Sequence, residues 1–190
     1  MSRFPIGGGA FVGVVGPSGA GKDAVMRFAR DELAGDPGFR FVRRCITRPR
    51  DDVGEDHDPV EPEAFATKRA EGRFALDWEA HGKCYRIPVE VDAMVAVGAV
   101  VIANLSRTVL PALAQRYRRY QVVEITAAPD ILAARIAARG RETLPEIERR
   151  LARDVAIAEP DGIRVIDNGG RLEDAGSRFL ALLRKLAAGV

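Results

Sequence analysis

The stretch Gly16-Pro17-Ser18-Gly19-Ala20-Gly21-Lys22-Asp23 has the residue types and the spacing of a phosphate-binding turn. It follows a short apolar run at 10–15 and precedes a helical pattern, so the context is strand, turn and helix N-terminus. Glycines allow consecutive backbone N–H groups to converge on phosphate oxygens, and the helix N-terminus adds partial positive charge. Lys22 adds a full positive charge. The segment, called the cradle below, therefore predicts binding of the β- and γ-phosphates of a nucleotide.

The last residue of the cradle departs from the usual pattern. Asp23 stands where a Ser or Thr hydroxyl normally contacts Mg²⁺, whereas the third predicted strand ends in neutral Asn104 instead of a carboxylate. Mg²⁺ commonly uses one or two carboxylates together with phosphates and water. We therefore expect Asp23 to be the metal-binding carboxylate, with Asn104 behind it. In the alternative interpretation, Asp23 only stabilises the first turn of its helix.

Composition limits the classes of protein that the chain can represent. The 190 residues, 47% of them hydrophobic, are enough for one sizeable core and predict a single domain over 1–190. The 29 basic and 27 acidic residues nearly cancel, which gives no reason to expect nucleic acid or a membrane as partner. Cys45 and Cys84 match no metal-ligand spacing, and no apolar run reaches the length of a membrane span. We expect a cytoplasmic protein that acts on a small molecule; its oligomeric state stays open.

The elements that position the cradle follow from hydrophobic periodicity. Short runs rich in Val and Ile alternate with helical patterns, which is typical of a parallel sheet covered on both faces. The predicted strands are 10–15, 39–45, 99–104, 120–126 and 163–168, and the predicted helices are 23–34, 63–71, 89–97, 108–118, 129–138, 145–158 and 172–188. The charged interval 46–87 interrupts this alternation and holds two weaker strand candidates, 73–79 and 83–87. We interpret it as a small substrate-covering insertion in an α/β fold with a five-stranded parallel sheet.

A second group of basic residues follows the fourth predicted strand. Arg139 directly precedes Gly140, which could serve as a hinge, and Arg150 and Arg153 follow later in the same region. Arginines that close over phosphates can stabilise the charge of a phosphoryl group in transfer. The interleaved glutamates of this region also allow an ordinary solvated helix face, but a cradle in the same chain favours an arginine-bearing lid at 139–145.

Several pieces of the sequence together resemble the guanylate-kinase-like branch of P-loop kinases. They are GPSGAGK, ITRPRDDVGEDHDPVEPEAF, FALDWEAHGKCYRIPVEV, RIAARGR with the following RRLARD, and VIDN. The GKD ending of the cradle, together with the asparagine and the Ser-Arg pair after the third strand, is similar to the ribose 1,5-bisphosphate phosphokinases of bacterial phosphonate metabolism. The resemblance covers nearly the whole chain and implies the P-loop kinase fold, with ATP and Mg²⁺ as cofactors.

The resemblance also implies roles for individual residues. Catalytic roles fall to Lys22, Arg48, Arg139, Arg150 and Arg153. The nucleotide would be bound by the cradle and by Asn168. The acceptor would be bound by Arg48, Arg50, His57, Tyr85, Ser106 and Arg107, although Arg50 lies one place short of the second arginine of the guanylate-kinase site.

Two replacements bear on which acceptor is used. His57 takes the place of a phosphate-site tyrosine of guanylate kinases, and Leu76 takes the place of the glutamate that reads guanine. Leucine cannot satisfy the polar edge of a base, so the resemblance implies ribose 1,5-bisphosphate as acceptor and 5-phospho-α-D-ribose 1-diphosphate as product. Two alternatives stay open: a guanylate or other nucleoside monophosphate kinase, and a binding module without catalysis. The intact cradle and lid speak against the second.

Overall fold

The computed structural model describes residues 5–49, 57–80, 82–138 and 162–189. Its strands are β1 (Ala10–Val15), β2 (Phe39–Val42), β3 (Cys45–Ile46), β4 (Asp58–Pro59), β5 (Phe74–Ala80), β6 (Lys83–Pro88), β7 (Val100–Asn104), β8 (Tyr120–Thr126) and β9 (Arg164–Asp167). Its helices are α1 (Lys22–Glu32), α2 (Pro62–Ala70), α3 (Val91–Ala96), α4 (Leu110–Arg116), α5 (Pro129–Ala137) and α6 (Leu172–Ala188), with a 3₁₀ turn at Arg107–Val109.

The main sheet has five parallel strands in the order β2-β7-β1-β8-β9, which confirms the predicted fold class. β1 lies at the centre and is completely buried, as its unbroken apolar sequence predicts. Because all five strands run in one direction, their carboxyl ends meet at one edge of the sheet. In open α/β sheets that edge is where ligands bind.

Two hydrophobic clusters cover the two faces of this sheet. Val12 and Val14 of β1 point to the face that packs against α1 and α6, where Phe179 is fully buried. Phe11 and Val15 point to the opposite face, together with residues of α3 and α4. Each large side chain buried in this way contributes about 1.5–3 kcal/mol. Because successive side chains of β1 point to opposite faces, helices pack on both sides of the strand. The end of β1 therefore determines where the cradle begins.

The predicted strand 39–45 is wrong at its C-terminal end. The main-sheet strand stops at Val42, and Cys45 pairs with Arg86 in a second sheet of order β4-β3-β6-β5. Arg43 and Arg44, which lie between the two strands, belong to neither sheet, consistent with their charge. The insertion therefore begins one residue earlier than predicted, at Cys45.

The insertion contributes to the same core as the main sheet. Its strand β5 buries Leu76 and Trp78 against the apolar cluster that also holds Val109 and Leu110. This packing places the insertion over the 3₁₀ turn that follows β7. The single-domain organisation stays a prediction.

The described helices lie close to their predicted positions. Pro129 occupies the first turn of α5, where its missing N–H costs nothing. The predicted helix 108–118 is shorter, because Tyr117 has an extended backbone and α4 ends at Arg116. The predicted helix 145–158 lies outside the described residues. Within the described ranges, no helix is both long and apolar enough to cross a bilayer.

Candidate active site

The cradle depends on its glycines for packing as well as for ligand access. Gly16 has a φ of 138°, and a Cβ there would overlap the carbonyl oxygen of Ile125. Gly21, with a φ of 82°, precedes α1, and its Cβ would overlap Nδ2 of Asn168. Side chains other than hydrogen are strained at such φ values. The turn can therefore lie this close to β8 and to the end of β9 only with glycine at both positions.

Lys22 folds back over the turn from which it emerges. Its Nζ donates hydrogen bonds to the carbonyl oxygens of Gly16 at 2.7 Å and Pro17 at 3.0 Å. The ammonium group therefore lies against the first residues of the cradle, in the turn that leads into α1. This arrangement concentrates positive charge where the phosphates of a nucleotide would bind.

Asp23 and Asn104 meet on the α1 side of the sheet. Nδ2 of Asn104 donates a hydrogen bond of 3.1 Å to Oδ1 of Asp23. Asn104 is only 6% exposed, and its Oδ1 is buried without a hydrogen-bond partner among the described residues. A solvent-facing carboxylate beside an unsatisfied amide oxygen is a donor set suited to a hard cation or to water bound to one.

Asn168 lies directly behind the cradle. Its Nδ2 donates a hydrogen bond of 2.8 Å to the carbonyl oxygen of Ala20, and its backbone N–H donates one of 2.7 Å to the carbonyl oxygen of Thr126. Arg135 of α5 donates to the backbone carbonyl of Asn168 at 2.9 Å. Asn168 thus ties the cradle to β8 and α5. Its predicted contact with the nucleotide stays a prediction.

Arg48 and His57 meet at the two ends of the segment that joins β3 to β4. His57 is completely buried, and its Nδ1 lies 3.2 Å from Nη2 of Arg48 while its Nε2 lies 3.1 Å from the carbonyl oxygen of Arg48. The sequence predicted both residues at an acceptor phosphate. The structure brings the two residues together, and both imidazole nitrogens of His57 contact Arg48.

Ser106 and Arg107 begin the 3₁₀ turn after β7. The Oγ of Ser106 accepts hydrogen bonds from Thr108, so Ser106 caps this turn. The guanidinium of Arg107 forms an ion pair and hydrogen bond with Glu124 of β8. Glu124 is aligned with Val15, the residue before the cradle, so this ion pair lies next to the point where the cradle starts.

Sequence reasoning missed Glu124. The available signal was a carboxylate inside the apolar run of β8, where the flanking positions Val123 and Ile125 are fully buried. Such a residue is rarely buried without a cationic partner. Its presence in a buried strand predicts a cationic partner, which the structure shows to be Arg107.

Tyr85 lies in a stack of aromatic and cationic groups in the insertion. Its ring is parallel to that of Trp78, with 5.4 Å between centroids, and the guanidinium of Arg44 lies 5.3 Å from the Tyr85 centroid. Trp78 is buried in the core. The stack is stabilised by dispersion and cation–π attraction, and the predicted contact of Tyr85 with the acceptor stays a prediction.

Four predicted site residues cannot be placed. Arg50, Arg139, Arg150 and Arg153 lie outside the described residues. Their roles stay predictions from the sequence.

Comparison with known proteins adds close relatives. No family model matches the chain. It is 50% identical over 187 residues to the ribose 1,5-bisphosphate phosphokinase PhnN of Chelativorans sp. strain BNC1, covering 97% of this chain and 90% of that protein. It is 48% identical over 180 residues to the protein of the same name from Brucella melitensis, covering 94% of each. The corresponding protein of Agrobacterium fabrum is 46% identical over 175 residues, covering 92% of this chain and 96% of that one.

Solved structures match the fold at low sequence identity. A guanylate kinase from Anaplasma phagocytophilum superposes with a TM-score of 0.66 at 16% identity, covering 97% of this chain and 88% of that one. A gluconokinase from Sinorhizobium meliloti 1021 has a TM-score of 0.51 at 20% identity, covering 99% and 97%. These likenesses concern the fold alone. The alignments to these curated relatives cover nearly the whole chain at 46–50% identity, and the fold is that of P-loop kinases. The chain therefore belongs to the ribose 1,5-bisphosphate phosphokinase family.

Proposed function

We propose that this chain transfers the γ-phosphoryl group of ATP to the C1 phosphate of ribose 1,5-bisphosphate. The products are 5-phospho-α-D-ribose 1-diphosphate and ADP. The reaction would belong to bacterial phosphonate catabolism. The observation that carries the proposal is a complete phosphate cradle with Lys22 bent over it, in a chain that is 50% identical to a curated kinase named for this acceptor. The reaction uses ATP, which supports a cytoplasmic location.

The chemistry requires alignment and charge neutralisation. The attacking oxygen belongs to a phosphate that is already ionised, so no strong general base is needed. Lys22 and the cradle N–H groups would hold the ATP phosphates. Arg48 would hold the acceptor phosphate, and Arg107 would contribute a second positive charge on the acceptor side. Held in line, the two phosphates react with an effectively unimolecular barrier.

The oxygen atoms beside the cradle fit Mg²⁺. Asp23 would hold the ion directly or through water, and the unsatisfied Oδ1 of Asn104 would accept a hydrogen bond from a water molecule there. The chemistry that Mg²⁺ supplies when bound is neutralisation of charge on the β- and γ-phosphates. Asn104 also orients the Asp23 carboxylate, because its amide donates to Oδ1.

The arginines beyond α5 complete the proposal. Arg139, Arg150 and Arg153 would close over the transferred group as part of a lid at 139–145, with Gly140 as hinge. This role rests on the sequence pattern alone. Closure would exclude water, which strengthens each charge interaction inside the site.

The apolar character of Leu76 supports a sugar phosphate over GMP. Leu76 is 3% exposed and belongs to the core under the insertion. A guanine edge would leave its polar atoms unpaired against this side chain, which costs about 1–3 kcal/mol for each group. A site for GMP would need a polar partner at that position.

A competition assay tests the proposed function. ATP consumption is measured with ribose 1,5-bisphosphate, GMP and other monophosphates offered separately at equal concentration, and the product is identified by mass spectrometry. We expect ribose 1,5-bisphosphate to be preferred by kcat/KM, with a diphosphate at C1 in the product. Preference for GMP would overturn the proposal in favour of a nucleoside monophosphate kinase, and turnover of none of them would favour a binding module.

A further inference from the structure

His57 contacts Arg48 with both of its ring nitrogens. Nη2 of Arg48 lies 3.2 Å from Nδ1, and the carbonyl oxygen of Arg48 lies 3.1 Å from Nε2. The imidazole is completely buried. The two ends of the connecting segment come together because β3 and β4 pair in parallel, with Cys45 aligned to Asp58.

These two contacts fit one arrangement of donors and acceptors on the ring. A guanidinium group has only N–H donors, so Nδ1 must be the acceptor; a carbonyl oxygen only accepts, so Nε2 must carry the proton. The geometry therefore fits the Nε2–H tautomer, in which Nδ1 accepts from the guanidinium and Nε2 donates to the carbonyl oxygen. An imidazolium would direct a second N–H at the guanidinium of Arg48, which is unfavourable both as a contact and as a pair of like charges.

We propose that His57 is a positioning residue that fixes the side chain and the backbone of Arg48 for binding of the acceptor phosphate, and that it makes no contact with the acceptor itself. This inference rests on the proposed function, which assigns Arg48 to that phosphate. It replaces the expectation that His57 contacts the phosphate, because both nitrogens that could make such a contact are used on Arg48.

Arg48 needs such support because it lies just beyond a two-residue strand. β3 ends at Ile46, and the backbone N–H of Arg48 donates to the carbonyl oxygen of Ile46 at 2.8 Å. A long arginine side chain loses much rotamer freedom when it binds a phosphate. An imidazole that orders the guanidinium in advance reduces this loss and therefore lowers KM for the acceptor.

A double-mutant cycle tests the proposal by kinetics. His57→Phe removes both hydrogen bonds and keeps a buried ring of similar shape. We expect it to raise KM for ribose 1,5-bisphosphate by roughly 10- to 100-fold, as for loss of a hydrogen bond to a charged group, with little change in KM for ATP. Arg48→Ala should raise it further, and the double variant should be no worse than Arg48→Ala. Losses that multiply in the double variant would mean that His57 contacts the acceptor itself and would overturn the proposal.

Arg43→Ala, in the link between β2 and β3, is a matched control because it removes a nearby arginine other than Arg48. Arg43 forms a half-exposed ion pair of 2.9 Å with Asp58, which is the residue that follows His57. Its loss should leave KM for the acceptor within about twofold, since exposed ion pairs contribute little. If Arg43→Ala raises KM as much as His57→Phe does, the effect is not specific to Arg48 and the proposal fails.

A spectroscopic measurement tests the tautomer without any substrate. The chain has two histidines, so ¹⁵N spectra of the full chain contain few imidazole signals, and His81→Asn assigns those of His57. We expect Nε2 to be protonated and Nδ1 unprotonated at neutral pH. The opposite tautomer or an imidazolium would overturn the proposal, even if His57→Phe fails to fold. A wild-type enzyme that ignores ribose 1,5-bisphosphate would instead overturn the proposed function and leave the tautomer result standing.

Discussion

Arg107 and Glu124 form a buried ion pair that joins the 3₁₀ turn after β7 to strand β8. The side chains are 13% and 9% exposed, and Glu124 is aligned with the residue that precedes the cradle. Removing one partner of a buried pair leaves an uncompensated charge, whereas replacing both partners by apolar residues is often neutral for stability. This difference separates the contribution of the pair to folding from its contribution to the reaction.

Glu124→Leu is expected to lower the free energy of unfolding by about 3–5 kcal/mol, because the largely buried Arg107 charge loses its ion pair with Glu124. The double variant Arg107→Met with Glu124→Leu should recover most of that stability in urea unfolding. Its kcat/KM for ribose 1,5-bisphosphate should stay low, by roughly 10²-fold, because the charge on the acceptor side is gone. Recovery of both stability and kcat/KM would mean that the pair only supports the fold.

Lys22→Ala should lower kcat by roughly 10²-fold or more while the chain stays folded, because the ammonium neutralises charge that develops during transfer. Stopped-time assays with saturating substrates measure kcat, and circular dichroism measures folding. Lys185→Ala, at an exposed position of α6, is the control and should leave kcat unchanged. Near-normal turnover by Lys22→Ala would instead favour a binding module.

Gly16→Ala should destabilise the cradle far more than Gly35→Ala. Both glycines have positive φ values, 138° and 84°, so alanine is strained at either position, by about 1–3 kcal/mol. A Cβ at residue 16 also overlaps the Ile125 carbonyl oxygen, whereas at residue 35 nothing lies within 4 Å. Thermal unfolding and ATP affinity measure the difference. Equal losses in the two variants would mean that the close approach of the cradle to β8 does not matter.

Hydrophobic periodicity was enough to predict the main sheet. β1 and β8 match their predicted bounds because their apolar runs end at a glycine and at a small polar residue. The break between Val42 and Cys45 was not predicted, since the apolar pattern continues on both sides of two arginines. Which sheet a short strand joins depends on tertiary pairing, and local composition does not determine it.

The site was predicted unevenly for a similar reason. The cradle is one continuous segment, so its chemistry can be read from residue types and spacing. The pairs Arg107 with Glu124 and Arg48 with His57 require residues from different elements or from the two ends of a loop. Their partners are determined by strand register, which a single sequence does not state.

Asp23→Asn tests whether the carboxylate at the end of the cradle binds Mg²⁺. Asn104 donates to Asp23, and its own Oδ1 is buried and unsatisfied among the described residues, which favours a water or an ion there. We expect the variant to need a much higher Mg²⁺ concentration for half-maximal activity, with little change in melting temperature, because a neutral amide is a weaker ligand for a hard cation. Calorimetry of ADP binding with and without Mg²⁺ gives a readout that does not depend on turnover.

In the double variant Asp23→Ser with Asn104→Asp, which moves the carboxylate to the end of β7, part of the activity should be recovered. An unchanged Mg²⁺ requirement in Asp23→Asn would mean that Asp23 only stabilises the start of α1, a contribution of about 0.3–1 kcal/mol.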